Sequence, residues 1–285
     1  MKDFSYPVFN IFDFMGTKNN DYKKSNVIIV PVPYALNSLS GQIDGPLAII
    51  ESSDWVEFYD QETQKDFFNV GIMTLPPLDC IDILPKDMVN EVSEIVAKII
   101  GDKKFPILLG GEHTISVGAT MGLKGLSNIS VLQLDAHTDL YSDFEGEKHH
   151  KGCVARRMID NSMHVVQAGI RTTTKEEVDF IKKKNIDTFF YNGKLEIDKI
   201  IERLHENVYL NIDLDVLDPS IMPAVGTPEA GGITWFEILE LIKRLSKERN
   251  IIGADLVELD PIADFTAPNI LAARLAYKII SYVYD

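Results

Sequence analysis

Six short, predominantly apolar runs constrain this chain more than any other feature. They cover residues 27–32, 106–109, 131–134, 165–170, 208–212 and 251–256. A strand with one wet face alternates apolar and polar residues. These runs do not, which predicts strands buried on both faces. Between them, residues 85–101 place Met88, Val92, Ile95, Val96 and Ile99 at helical spacing. Further helical patterns cover 174–184, 195–206, 234–247 and 269–284. Buried strands alternating with helices predict the α/β class, here a three-layer α/β/α arrangement around a mostly parallel central sheet. The signals recur from Pro31 to Asp260, which favours one domain over residues 1–285.

Such sheets bind ligands beyond the carboxyl ends of their strands, and three polar clusters fall there. His113 lies in Gly110-Gly111-Glu112-His113-Thr114, and Asp135, His137 and Asp139 lie in Asp135-Ala136-His137-Thr138-Asp139. Asp213 and Asp215 form Asp213-Leu214-Asp215. In extended chain, alternate residues share a side and sit about 6.5 Å apart. These carboxylates and imidazoles, gathered at one sheet edge, would repel unless cations neutralised them. The set has enough carboxylates to bridge two ions held roughly 3.5–4 Å apart. Ligands rich in oxygen, with two imidazoles and no thiolate, favour Mn²⁺ over Zn²⁺ or copper. Two stretches, 140–153 and 218–232, read as loops over the site.

Composition narrows the partners. A formal net charge of -15 argues against nucleic acid or an anionic membrane and favours a small cationic substrate. No apolar stretch reaches membrane length, and no charged-then-apolar leader opens the chain. Cys80 and Cys153 are too few for a disulfide framework and suit a reducing cytoplasm.

At the three clusters the chain resembles the ureohydrolase (arginase/agmatinase) superfamily, and the resemblance covers nearly its whole length. Gly226-Thr227-Pro228 followed by Gly231-Gly232-Ile233-Thr234 is similar to the family's loop after the third motif. Asp255-Leu256-Val257-Glu258-Leu259-Asp260-Pro261 is similar to the strand whose glutamate holds a guanidinium group. The resemblance implies an arginase-like fold and two Mn²⁺ per subunit. Asp135, Asp139 and Asp213 or their neighbours would bridge the ions, with His113, His137 and Asp215 completing the shells. Glu258 and Thr234 would contact the substrate, and Asp139 would move a proton to the leaving amine. The N-terminal segments Pro31-Val32-Pro33-Tyr34 and Asp44-Gly45-Pro46 look most like agmatinase. That implies cleavage of agmatine to urea and putrescine, by a homo-oligomer (trimer or hexamer). The alternatives are a formiminoglutamase or guanidinobutyrase, with Arg156, Arg157 or Arg171 facing a substrate carboxylate, or a non-catalytic metal-binding relative.

The chain also departs from the family pattern. Asn37-Ser38-Leu39-Ser40-Gly41-Gln42-Ile43 replaces an arginine-rich turn, Ile50 replaces an arginine, and Pro223-Ala224-Val225-Gly226 replaces Pro-Gly-x-Gly. Where relatives place a proton-shuttling histidine, an ungapped alignment puts Lys151. His150 fills that role if the register shifts by one, and Lys151 fills it if burial and nearby cations lower its pKa.

Overall fold

The computed structural model describes residues 13–36 and 40–285. Asn37-Ser38-Leu39 and the N-terminal segment 1–12, on which the absence of a leader was read, lie outside the described residues. Among the described residues ten strands form: β1 (Val27–Val32), β2 (Tyr59–Asp60), β3 (Lys65–Asp66), β4 (Ile72–Thr74), β5 (Phe105–Gly110), β6 (Ile129–Leu134), β7 (His164–Ile170), β8 (Asp187–Phe190), β9 (Asn207–Asp213) and β10 (Asn250–Val257). The same residues form eight α-helices: α1 (Gly45–Ser53), α2 (Pro85–Gly101), α3 (Ile115–Met121), α4 (Val154–Asp160), α5 (Lys175–Lys184), α6 (Ile197–Arg203), α7 (Trp235–Glu248) and α8 (Ala267–Tyr284). No helix among the described residues is long and apolar enough to cross a membrane.

Eight of the strands build one sheet in the order β4-β1-β5-β10-β9-β6-β7-β8. Every pairing within it is parallel, while β2 and β3 form a small antiparallel ribbon. After β5 the chain crosses to β6 and works outward through β7 to β8. It then returns to lay β9 and β10 into the gap. The four neighbours β5, β10, β9 and β6 are thus the sheet's centre, and the reversal of winding opens a crevice at their carboxyl ends.

Side chains alternate across β1, so Val27 and Ile29 join one core while Ile28, Val30 and Val32 join the other. One core packs beneath α1, α6, α7 and α8, and the other beneath α2, α3 and α4. Each fully buried Val, Leu or Ile contributes about 1.5–3 kcal/mol relative to exposure. That burial on both faces is why these strands carry no polar alternation. Helix starts are set locally. Thr174 and Thr234 each form a reciprocal capping box, with Glu177 and Glu237. Such caps hold helix N-termini by about 1 kcal/mol each. Thr234 is therefore an exposed helix cap at α7 and does not line the cavity described next.

Candidate metal centre

The central strands deliver the polar clusters to one place. Asp135 follows β6, Asp213 ends β9, Asp215 sits in the 3-10 turn Leu214–Val216, and Glu258 follows β10. His113 comes from the tight turn after β5, where Gly111 lies against Tyr34; a Cβ there would come 2.4 Å from the Tyr34 carbonyl oxygen. His113, His137, Asp139, Asp213, Asp215 and Glu258 all line a cavity of about 210 Å³.

Two adjoining groups can each hold a metal ion: His113 with Asp135 and Asp139, and His137 with Asp135 and Asp215. His113 Nδ1 lies 3.0 Å from Asp139 Oδ2, 3.3 Å from Asp213 Oδ2 and 3.4 Å from Asp135 Oδ2. It is buried and hydrogen-bonds to none of them. Asp215 Oδ2 lies 2.9 Å from His137 Nδ1 and is likewise buried without a hydrogen bond. Buried polar atoms are rarely left unpaired. Atoms that converge yet fail to pair leave a place for a cation between them, so the residues fit the group the sequence implied. Asp135 turns Oδ2 toward His113 and Oδ1 toward His137 at 3.6 Å, the geometry of a bridge. Asp139 belongs to the His113 group alone, and Asp213 to neither group, although its Oδ2 faces His113.

Without a cation, protons must neutralise this cluster. Burial, with the charges of Asp139 and Asp215, pushes the Asp135 carboxyl up to about 7, and Asp213 rises well above its ordinary range for similar reasons. Burial alone would lower both imidazoles. The close approach and negative charge of the aspartates outweigh it, raising His137 to about 12 and His113 well above its usual value.

The surrounding shell is rigid. The Arg171 guanidinium donates to the carbonyls of Asp215 (2.7 Å), Val216 (3.1 Å) and Glu229 (3.2 Å), stapling the ligand-bearing turn to the loop over it. Asp139 (φ 50°) and Glu258 (φ 71°) both take left-handed backbone. That conformation costs a non-glycine residue of order 1–3 kcal/mol and concentrates at functional sites.

Glu258 is held from several directions. Its Oε1 accepts from the His113 backbone N–H at 2.8 Å, and its Oε2 accepts from Lys151 Nζ at 2.8 Å and from Gln42 Nε2. Burial alone would lower the Lys151 pKa, but the charge and hydrogen bond of Glu258 outweigh it and hold the ammonium charged. Without cations Lys151 does not show the lowering its shuttle role would need, because its nearest partners are acidic. His150 lines the cavity, its ring stacked on Phe144 at 4.3 Å, with Nδ1 accepting from the Gly152 N–H. His149 does not line it; its carbonyl accepts from Thr114 Oγ1. Sequence reasoning missed Gln42, which reaches Glu258 across 216 residues of chain from an unremarkable 3-10 turn. No local pattern marks such a contact.

A wholly parallel α/β sheet with paired His/Asp groups in its central crevice defines a class, the α/β/α proteins with a candidate metal centre at the switch point of the sheet. Comparison with known proteins refines it. The model of the Arginase family matches residues 25–281. An N(1)-aminopropylagmatine ureohydrolase of Synechocystis sp. is 36% identical, over 92% of this chain and 90% of that protein. An agmatinase of Bacillus anthracis is 31% identical, over 88% of this chain and 89% of its own. The crystal structure of agmatine ureohydrolase of Thermoplasma volcanium superposes with a TM-score of 0.88 at 29% identity, covering 97% of this chain and 96% of that one. The chain belongs to the arginase family and is a hydrolase of guanidino carbon–nitrogen bonds.

Proposed function

We propose that the chain, as one catalytic domain, hydrolyses agmatine or its aminopropyl derivative to urea and an amine, using two Mn²⁺ held by His113, Asp135, His137, Asp139, Asp213 and Asp215. The observation that carries the cation pair is the convergence of unpaired buried ligand atoms around a shared Asp135. The oxygen-rich donor set favours manganese. A cation pair there supplies Lewis acidity, which lowers the pKa of water from 15.7 towards about 7.

The chain's own groups do the rest. A carboxylate offers about four acceptor positions, so Glu258, with its present donors, still has room for a guanidinium N–H. It orients that group by a charge-assisted hydrogen bond. Asp139 stands beside the reacting atoms and passes a proton to the leaving amine, and His150 at the cavity wall exchanges protons with solvent. Lys151, held charged, balances Glu258. The free thiols of Cys80 and Cys153 accord with the cytoplasm, and assembly as a trimer or hexamer follows from the family resemblance.

A cationic tail is favoured over a carboxylate tail because the arginines proposed to meet a carboxylate are engaged elsewhere. Arg171 serves backbone carbonyls, while Arg156 and Arg157 pair with Asp160, the former also lying over Phe180. A second cavity of about 200 Å³ adjoins the first, shares Tyr141 and Glu177 with it, and also presents Glu176 and Asp179. Its three carboxylates outnumber Arg156 and Lys183, which supports the longer, amine-ended aminopropyl substrate. A urea-release assay with Mn²⁺ should give kcat/KM for agmatine and N(1)-aminopropylagmatine at least tenfold above arginine, guanidinobutyrate and formiminoglutamate. A preference for a carboxylate-bearing substrate would overturn the reading.

Gly226 gives a sharper test of the guanidinium pocket. A Cβ there would lie 2.4 Å from Gln42 Nε2 and 3.2 Å from both Glu258 Oε2 and Lys151 Nζ. Gly226→Ala is expected to raise KM roughly tenfold, the effect of about 1.4 kcal/mol of misplaced binding. Steady-state kinetics on the preferred substrate measures it, and an unchanged KM would separate this cluster from substrate binding.

A further inference from the structure

One row of polar residues crosses the mostly apolar central strands of the sheet. Register places Gln167 on β7 beside Gln133 on β6, Gln133 beside Asn211 on β9, and Asn211 beside Asp255 on β10. All four are fully buried. The row lies two residues below Asp135 and Asp213, and each half of it ends on a candidate ligand. In one half, Gln167 Nε2 donates to Gln133 Oε1 at 2.9 Å, and Gln133 Nε2 donates to Asp135 Oδ2 at 2.7 Å. In the other, Asn211 Nδ2 donates to Asp255 Oδ1 at 2.7 Å and to Ser116 Oγ at 3.0 Å, while Asn211 Oδ1 faces His113 Nε2 at 3.1 Å.

The second half has a directional consequence. A carboxylate only accepts, so Asp255 obliges Asn211 to turn its NH₂ toward β10 and its oxygen toward His113. That oxygen also only accepts, so the proton of His113 must reside on Nε2. Nδ1 is then left bare, aimed among Asp135, Asp139 and Asp213. Turning the amide over would set N–H against N–H at His113 and oxygen against oxygen at Asp255, at two buried contacts together. We propose that Asp255 is a positioning residue for the cation centre, acting through Asn211 to hold His113 with Nδ1 presented to the ion. This inference rests on the two-cation reading above. It adds that the two ions depend unequally on the sheet interior: the His113 ion on Asp255, the His137 ion not.

Calorimetric titration of Mn²⁺ into the full-length protein, with metal content measured in parallel, tests the proposal on wild type, Asp255→Leu and Asp255→Asn. Outer-shell partners of metal-bound histidines are worth about 10–100-fold in metal affinity. Asp255→Leu removes the acceptor and should weaken one binding step by that factor, leaving the other step in place. Asp255→Asn can still offer Asn211 an oxygen and should restore most of the loss. A measurement that needs no Asp255 variant guards against a misfolded Asp255→Leu. Loaded with Co²⁺, the wild type should show a slowly exchanging, paramagnetically shifted imidazole N–H from His113 Nε2, identified by its loss in Asn211→Leu. Two steps left intact in a folded Asp255→Leu, equal weakening of both, or absence of that N–H in wild type would overturn the proposal. A wild type that binds no Mn²⁺ would instead overturn the metal-centre reading itself.

Discussion

Asp135→Ala is expected to abolish binding at both halves of the centre, because Asp135 alone turns one oxygen to each histidine. Loss of Asp139 touches the His113 group only, and loss of Asp215 the His137 group only. Removing preorganised charge stabilisation commonly costs ~10²–10³-fold in kcat per group, and a residue shared by two groups should reach at least the upper end. The fold should survive. Asp135 is fully buried, and without cations its ionised form is disfavoured by burial and by its aspartate neighbours. A neutral methyl in its place removes a repulsive group along with the hydrogen bonds from Gln133 and His137. Metal analysis after dialysis and a turnover assay decide the matter. One ion retained at full affinity would show that Asp135 is not the bridge.

How far the sequence announced all this can be followed residue by residue. The central strands were legible because burial on both faces removes every alternation but an apolar one. Amphipathic helices such as α2 and α7 were legible because one face of each meets water. By contrast α3 was invisible. Residues Ile115 to Thr120 are all buried, so no polar stripe exists to set a 3.6-residue period. The edge strands β4 and β8 escaped for the opposite reason: one is three residues long and the other only half-buried. At the site, the clusters were visible because acidic residues at the ends of apolar strands stand out. Asn211, Asp255 and Gln133 stood in plain view inside those strands, but a polar residue in an apolar run acquires meaning only when register sets strand beside strand. Gln42 and Gly226 lie farther from any local rule, since each matters through atoms distant in sequence.

The second large effect is a pH dependence that cation binding should invert. In the metal-free protein His113, His137, Asp135 and Asp213 all hold protons more tightly than in the unfolded chain. A group whose folded pKa is raised contributes stability below its unfolded pKa and loses it as pH climbs through the folded value. For Asp135 that loss runs from 3.8 to about 7, and for His137 from 6.5 to about 12. Asp215 shifts the other way, and its contribution is lost only in acid as pH falls below 3.8. Between about pH 5 and 9 the signs therefore agree, and chelator-treated protein should melt at progressively lower temperature as pH rises. Cations compete with those same protons, so binding tightens over that range. At 100 times its dissociation constant, one ion adds about 2.7 kcal/mol, and two ions would add roughly twice that. The rise in melting temperature on adding Mn²⁺ should therefore be larger at pH 8.5 than at pH 6. Melting curves with and without Mn²⁺ across this range measure both slopes. A chelated protein whose melting temperature holds steady or rises with pH would show that the aspartates and imidazoles do not crowd one another as their positions require.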